Sequence, residues 1–381
     1  YMKRNYALVL SLLALGLTAT AAEPEIGSAN LDDGYTLVWQ DLFNAGELNR
    51  DRWNVQVVSN PANNELQYYR DNEANVRVGL DDEGNSCLIL TAIREEYNTR
   101  HFTSGRVTTE GKVNFTHGKI EASLKIPKTY KGLWPAFWMM GEDYGERGWP
   151  RCGETDIMEM GNSAGFRKNE GESYFNGACH WGFYNEDWQY PNYAKASNWD
   201  YSLQDGEFHL FTCYWTPDYF KMYVDLDKYP DSPCYFEMGI TTPEGEENDP
   251  SQDIDWSAWR YFHKPQHILL NLAVGGHFPG ITKADGITAL NDENGQQASY
   301  YINYVKVYQR GSSVDPKETL YSKVPGDSQE EAIENLTVDN TNAPVEFFTL
   351  DGREVKNPST GLFIRRQGSN VEKAACSDID N

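Results

Sequence analysis

Residues 207–227, EFHLFTCYWTPDYFKMYVDLD, decide the fold class. Apolar and polar side chains alternate along EFHLFTCYW and along YFKMYVDLD, and Pro217-Asp218 breaks the two runs. A period of two with a Pro-Asp turn signal is the signature of β-strands half buried against a core. The same alternation recurs in YTLVWQDLF (35–43), SCLILTAIRE (86–95), GKIEASLKIP (118–127), HILLNLAVGG (267–276) and YYINYVKVYQ (300–309). Gly, Pro, Asn and Asp separate these runs, and few segments carry a helical period. Many short antiparallel strands from about residue 30 to 311 predict one all-β domain, a sandwich or barrel.

The flanks differ from this body. MKRNYALVLSLLALGLTATAA (2–22) has a basic start, an apolar run and a small-residue end. We read residues 1–22 as a secretory signal rather than a membrane span, which implies export to the periplasm or beyond. No cysteine sits at the cleavage region, so no lipid anchor is indicated. Residues 312–334 are polar with two prolines and read as a linker. Beyond it, PVEFFTLDGREV (344–355) and GLFIRRQGSNVEK (361–373) predict a hairpin around KNPST, within a small C-terminal β module at 335–381.

Composition narrows the partners. The chain has 381 residues and a formal charge of −24, which disfavours nucleic acid and anionic membrane. With 24 Tyr and 11 Trp, a flat uncharged partner fits better, because tryptophan faces stack on sugar rings. The six cysteines, at 87, 152, 179, 213, 234 and 376, admit many pairings, and the spacing selects none. None shows zinc-site spacing, and no metal ligand set is assigned. A monomer is the default expectation.

One stretch breaks the pattern. RCGETDIMEMGN (151–162) places Glu154, Asp156 and Glu159 among Cys152, Ile157, Met158 and Met160. On a regular strand 154 and 156 share a face and 159 points away; on a helix 154 and 159 lie about 140° apart. A single β-bulge between Asp156 and Glu159 would bring all three to one face. Carboxyl groups so crowded repel each other, so at least one holds a proton near neutrality. That arrangement suits glycoside hydrolysis, with one carboxylate attacking and one carboxylic acid protonating the leaving oxygen. A calcium site competes, although hard-cation loops favour Asp, Asn and Gly over an apolar strand.

GWPRCGETDIMEMGN resembles the signature strand of glycoside hydrolase family 16, Glu-x-Asp-x-x-Glu with its bulge. LVWQDLFNAGELNRDRWNVQ, NNELQYYR, FTSGRVTTEGKVNFTHGKIEASLKIP, GLWPAFWMMG, FHLFTCYWTPDYFKMYVD and LNLAVGGHFPG resemble that family in order, over roughly residues 33–310. The subgroup it is most similar to is the bacterial laminarinases and β-1,3(1,4)-glucanases. The resemblance implies a β-jelly-roll sandwich of two curved antiparallel sheets with a cleft on the concave face, and a retaining double displacement. Carried onto matching positions, Glu154 is the nucleophile, Glu159 the acid/base, and Asp156 hydrogen-bonds the nucleophile.

Further residues acquire readings from the same source. Trp134 and Trp138 share a strand face and would stack on sugars, or else fill core. Asn64 and Arg106 look like cleft residues that hydrogen-bond sugar hydroxyls; Trp149 would line the cleft or brace the strand. His180 falls where the family often places a substrate-contacting histidine. His263 and His267 are read as structural. His277 and Phe278 stand where the pattern has Asn and Trp, which puts contacts there in question. No cofactor is required, and Asn303, standing where relatives carry Asp, weakens a structural calcium. The expected activity is endo-cleavage of laminarin-like or mixed-linkage β-glucan. A marine galactan hydrolase and a non-catalytic lectin are the alternatives; a lectin would be expected to have lost one of the glutamates.

Overall fold

The structure is a computed structural model that describes residues 34–247, 249 and 252–324, with the backbone of 345–348, 362–367 and 370–375. The predicted signal at 1–22 and the end of the predicted linker lie outside the described residues. Two β-sheets carry almost all of the regular structure. The first holds β1 (Thr36–Asp41), β3 (Gln67–Tyr69), β4 (Val76–Leu80), β5 (Ser86–Tyr97), β6 (Arg100–Ser104), β9 (Gly118–Lys125), β14 (His209–Trp215), β15 (Tyr219–Val224), β16 (Phe236–Gly239) and β18 (Gln297–Gln309). The second holds β2 (Asn54–Val55), β7 (Arg106–Thr108), β8 (Val113–Thr116), β10 (Leu133–Gly141), β11 (Glu154–Met160), β12 (Tyr174–His180), β13 (Asn192–Asn198), β17 (Gln266–Val274) and β19 (Thr319–Ser322). Pairing is antiparallel throughout the two sheets except between β3 and β6. Two short helices, α1 (Tyr144–Arg147) and α2 (Ser163–Lys168), flank β11.

Alternate residues of each strand meet between the sheets. Phe137 and Met139 of β10, Ile157 and Met158 of β11, Phe175 and Cys179 of β12 and Leu270 and Leu272 of β17 join Phe211, Phe220 and Val305 of the first sheet in one buried cluster. The other face of the second sheet runs in the order β13-β12-β11-β10-β17-β7-β2. That face carries every carboxylate of the 154–159 stretch. β17 departs from simple alternation, because all nine of its residues are buried. Its outward Leu269 packs with Met140 and Cys152, and Trp138 and Trp149 cover that patch.

The predicted linker needs a correction. Residues 319–322 form β19, antiparallel to β8, so the sandwich extends past residue 311. Glu318 accepts the backbone N–H groups of Arg310 and Gly311, and Asp315 meets His117 at 2.7 Å, Oδ2 to Nδ1. These contacts give a polar segment enough partners to dock. Beyond it, β20 (Val345–Phe348) pairs with β21 (Leu362–Gln367) across the KNPST segment, and β22 (Asn370–Ala375) pairs with β21. The five described cysteines are free thiols, so none of them pairs. Cys179 lies in the inter-sheet core. His263 is bridged between His117 and the carbonyl of Ile240, and His267 meets Glu142. No helix among the described residues is long and apolar enough to cross a membrane.

Candidate active site

The bulge lies where the parity argument puts it. On β12, Ala178 and Asn176 are two residues apart, yet they pair with Asp156 and Glu159, which are three apart. On the β10 side, Met158 pairs with Phe137 and Asp156 with Trp138, so Ile157 is the extra residue. A bulge frees a backbone group from the ladder, and that group needs another partner when buried. Tyr235 supplies it, donating its phenolic hydrogen to the Ile157 carbonyl oxygen. Opposite the bulge, Gly177 is tightly packed: a Cβ there would lie 3.1 Å from the Phe236 Cβ and 3.2 Å from the Met222 sulfur, so those side chains would have to give by a few tenths of an ångström.

With the parity restored, Glu154, Asp156 and Glu159 share the outer face. Asp156 is buried and the two glutamates are half-buried. Each glutamate receives one indole N–H. Trp149 Nε1 donates to Glu154 Oε2 at 3.0 Å, and Trp134 Nε1 donates to Glu159 Oε1 at 3.0 Å. Asp156 instead faces His180, Oδ2 to Nε2 at 3.4 Å. Burial is the largest influence on all three carboxyls and favours the protonated form. Burial and then the Asp156 charge push Glu154 up to about 8. Burial, Asp156 and Glu154 hold Glu159 well above the usual carboxylate range, and burial raises Asp156. Glu154, Asp156 and His180 each bring one ligand-type atom within 4.8 Å of the others, so they offer donors to a cation as well as to a shared proton.

Along β10 and β17 the face becomes aromatic and amide-rich. Trp134 and Trp138 share it, and the β10–β17 register is regular along its length. One face of Trp134 is covered by Phe278, stacked at 4.9 Å and 14°. Trp138 Nε1 donates to Asn271 Oδ1 at 2.8 Å, and Asn271 Nδ2 donates to the Tyr69 hydroxyl at 3.2 Å. Tyr69 in turn donates to the buried Glu65 at 3.1 Å, and Gln67 does so at 2.6 Å. The Arg106 guanidinium lies 5.0 Å from the Trp138 ring centre and 5.9 Å from that of Tyr69. Its Nε is buried with no hydrogen-bond partner among the described residues. Asn64 is exposed, and its amide meets His277 Nε2 at 2.6 Å. His277 and Phe278 therefore occupy the positions in question with a hydrogen bond and a stacking contact.

On the opposite side, His180 pairs in register with Glu154. Its Nδ1 meets the Tyr190 hydroxyl at 3.2 Å, and Trp149 lies 4.7 Å from the Tyr190 ring. Trp149 thus both braces β11 and lines the site. All nine sequence-predicted residues lie on this face or its rim. Asn271, Tyr69, Glu65 and Tyr190 were missed. NNELQYYR and LNLAVGG contain three of them, but nothing local reveals that segments about 200 residues apart share one hydrogen-bond chain. As for calcium, Asn303 engages its amide as a donor, Nδ2 to the Ser86 carbonyl at 2.9 Å. The same amide keeps Oδ1, an oxygen of the type that ligates a hard cation.

The model of the glycosyl hydrolases family 16 matches residues 56–258. A β-glucanase of Rhodothermus marinus is 31% identical over 81% of this chain and 95% of its own length. A glucan endo-1,3-β-glucosidase of Cryptopygus antarcticus is 32% identical over 71% of this chain and 91% of its own. Among solved structures, a Bacteroides ovatus mixed-linkage glucan family 16 protein, in complex with a G4G4G3G product, is 36% identical with a TM-score of 0.59. It covers 71% of this chain and 100% of its own.

Proposed function

The chain belongs to the glycosyl hydrolases family 16, and from that premise we propose an endo-acting, retaining β-glucanase that cuts β-1,3-glucan or mixed-linkage β-1,3/1,4-glucan. The observation that carries the reading is the bulged β11. It gathers three carboxyls on one face and gives each glutamate its own indole N–H.

The chemistry divides the glutamates. A nucleophile must shed its proton and a general acid must keep one. Burial and neighbouring charge raise both glutamates towards the protonated form, and the matching position in the family signature suits Glu159 to protonate the leaving glycosidic oxygen. Glu154 then attacks the anomeric carbon as that bond breaks, giving a glycosyl-enzyme ester. Water, deprotonated by Glu159, hydrolyses the ester and restores the starting configuration. Asp156, between them, shares a proton with its neighbours, and the charge it takes on is met by His180. Arg106, Trp138, Trp134 and Asn64 present ring faces and hydrogen-bond donors to the sugars along β10, β17 and β7. The run at residues 2–22 supports action outside the cytoplasm.

Product analysis on laminarin, barley mixed-linkage glucan, lichenan, agarose and carrageenan tests the reading. Oligosaccharides are expected from the glucans alone. Products from agarose or carrageenan would keep the catalytic strand and overturn the substrate, and no products from any would leave a lectin.

A further inference from the structure

Residues 181–191, which join β12 to β13, carry an aromatic path that the roles above leave unused. Tyr190 lies beside Trp149, Tyr184 lies 5.4 Å from Tyr190 and 6.0 Å from Trp149, and Trp188 lies 5.8 Å from Tyr184. The path starts at the ring that donates to Glu154 and ends in solvent: Tyr184 is 37% exposed and Trp188 80%. Exposing so much apolar ring costs free energy that burial would recover.

The backbone presents that ring at a further cost. Trp188 has φ 58°, in the left-handed region, where a bulky aromatic is an outlier. Such a residue persists only where its surroundings over-determine it, and such residues cluster at ligand-binding sites. Here Asn185 does so. Its Oδ1 accepts the N–H groups of Asp187 at 3.0 Å and Gln189 at 2.8 Å. Its carbonyl accepts the Trp188 N–H at 3.1 Å, and its own N–H donates to Gln189 at 2.9 Å. The turn is built to hold the indole out, in line with the site.

We infer that this turn is a second sugar-binding arm, in which Tyr184 and Trp188 stack on glucosyl units lying beyond those over Glu154 and Glu159. The inference rests on the glucanase reading and names the part of the polymer it grips. Continuity with Trp149 identifies the occupant as the same polysaccharide chain, running to the β12 side of the carboxyls. Glu186 and Asp187, both exposed beside Trp188, select a neutral glucan and repel a sulfated one.

The test is kcat/KM for a series of β-glucan oligosaccharides and the polymer, with the full chain and its Trp188→Ala, Tyr184→Ala and Trp188→Phe variants. Trp188→Ala is expected to lose about three- to tenfold on the polymer through KM alone, the range of one ring contact. The shortest cleaved oligosaccharide should be unaffected, Tyr184→Ala should behave alike, Trp188→Phe should retain most of the affinity, and melting temperature should not change. An equal loss at every length, or no loss on the polymer, would overturn the arm. A wild-type protein that cleaves no glucan would fail the underlying reading first, before any variant is compared.

Discussion

Glu154→Gln should make the protein more stable, by an amount that grows as pH rises from about 4.5 to about 8. Burial and the Asp156 charge raise Glu154 from 4.5 to about 8. Below about pH 4.5 the carboxyl is protonated in both folded and unfolded chains, and glutamine is its near-isostere, so the two proteins should melt together. As pH rises towards 8 the unfolded chain ionises freely while the folded one resists. The wild type therefore loses stability across that window and the variant does not. At about 1.4 kcal/mol per unit the full difference would approach about 5 kcal/mol. Half-burial and solvent screening bring the expected gain to about 2 kcal/mol at pH 9. For a domain of this size that is a rise in Tm of about 3–5 °C. Calorimetry of both proteins at pH 4, 6.5 and 9 is the assay. A gain of the same size at every pH would mean a packing effect, and no gain at pH 9 would refute the crowded-carboxyl electrostatics.

Other outcomes follow from the same contacts. Glu159→Ala should cut kcat on glucan by about a thousandfold. In kcat/KM, which stops at the first transfer and leaves out the work of Glu159 as base, the loss should be far smaller on a dinitrophenyl oligoglucoside, whose leaving group needs no proton; equal kcat/KM losses on both substrates would remove the acid role. Trp134→Phe keeps a ring against Phe278 but removes the N–H that stabilises ionised Glu159. The alkaline limb of kcat/KM should then move up by about one unit, and an unmoved limb would separate Trp134 from Glu159. Asp315→Ala leaves His117 buried without its carboxylate partner and should cost about 3 kcal/mol. Amide exchange should quicken first at β19 and β8, and uniform quickening would deny a local clasp.

The sheets were legible because period-two alternation is written into each strand, as in residues 207–227. The bulge was legible for a subtler reason. Three acids at 154, 156 and 159 can converge only if one residue is added to the strand, and the apolar Ile157 and Met158 between them mark a buried strand rather than a loop. β19 was not legible. Thr-Leu-Tyr-Ser is four residues in a polar, proline-bearing segment, and its pairing with β8 is set by partners about 200 residues away. The chain from Trp138 through Asn271 and Tyr69 to Glu65 was hidden for the same reason: it joins three strands, and no local pattern names a hydrogen-bond partner. Phe278 was read as a departure at a sugar-contacting position, whereas its ring covers Trp134. The cysteines were undecidable because pairing depends on distances that spacing along the chain does not encode.

The central claim is that Glu154 attacks the sugar while Glu159 moves the proton. A 2-deoxy-2-fluoro oligoglucoside with a dinitrophenyl leaving group tests it most directly, since the fluorine slows breakdown of the glycosyl ester and traps the enzyme. Mass spectrometry of the digested adduct should find the sugar on Glu154, at one equivalent per chain, coincident with loss of activity. A sugar carried by Asp156 or Glu159, or inactivation without any adduct, would contradict the account.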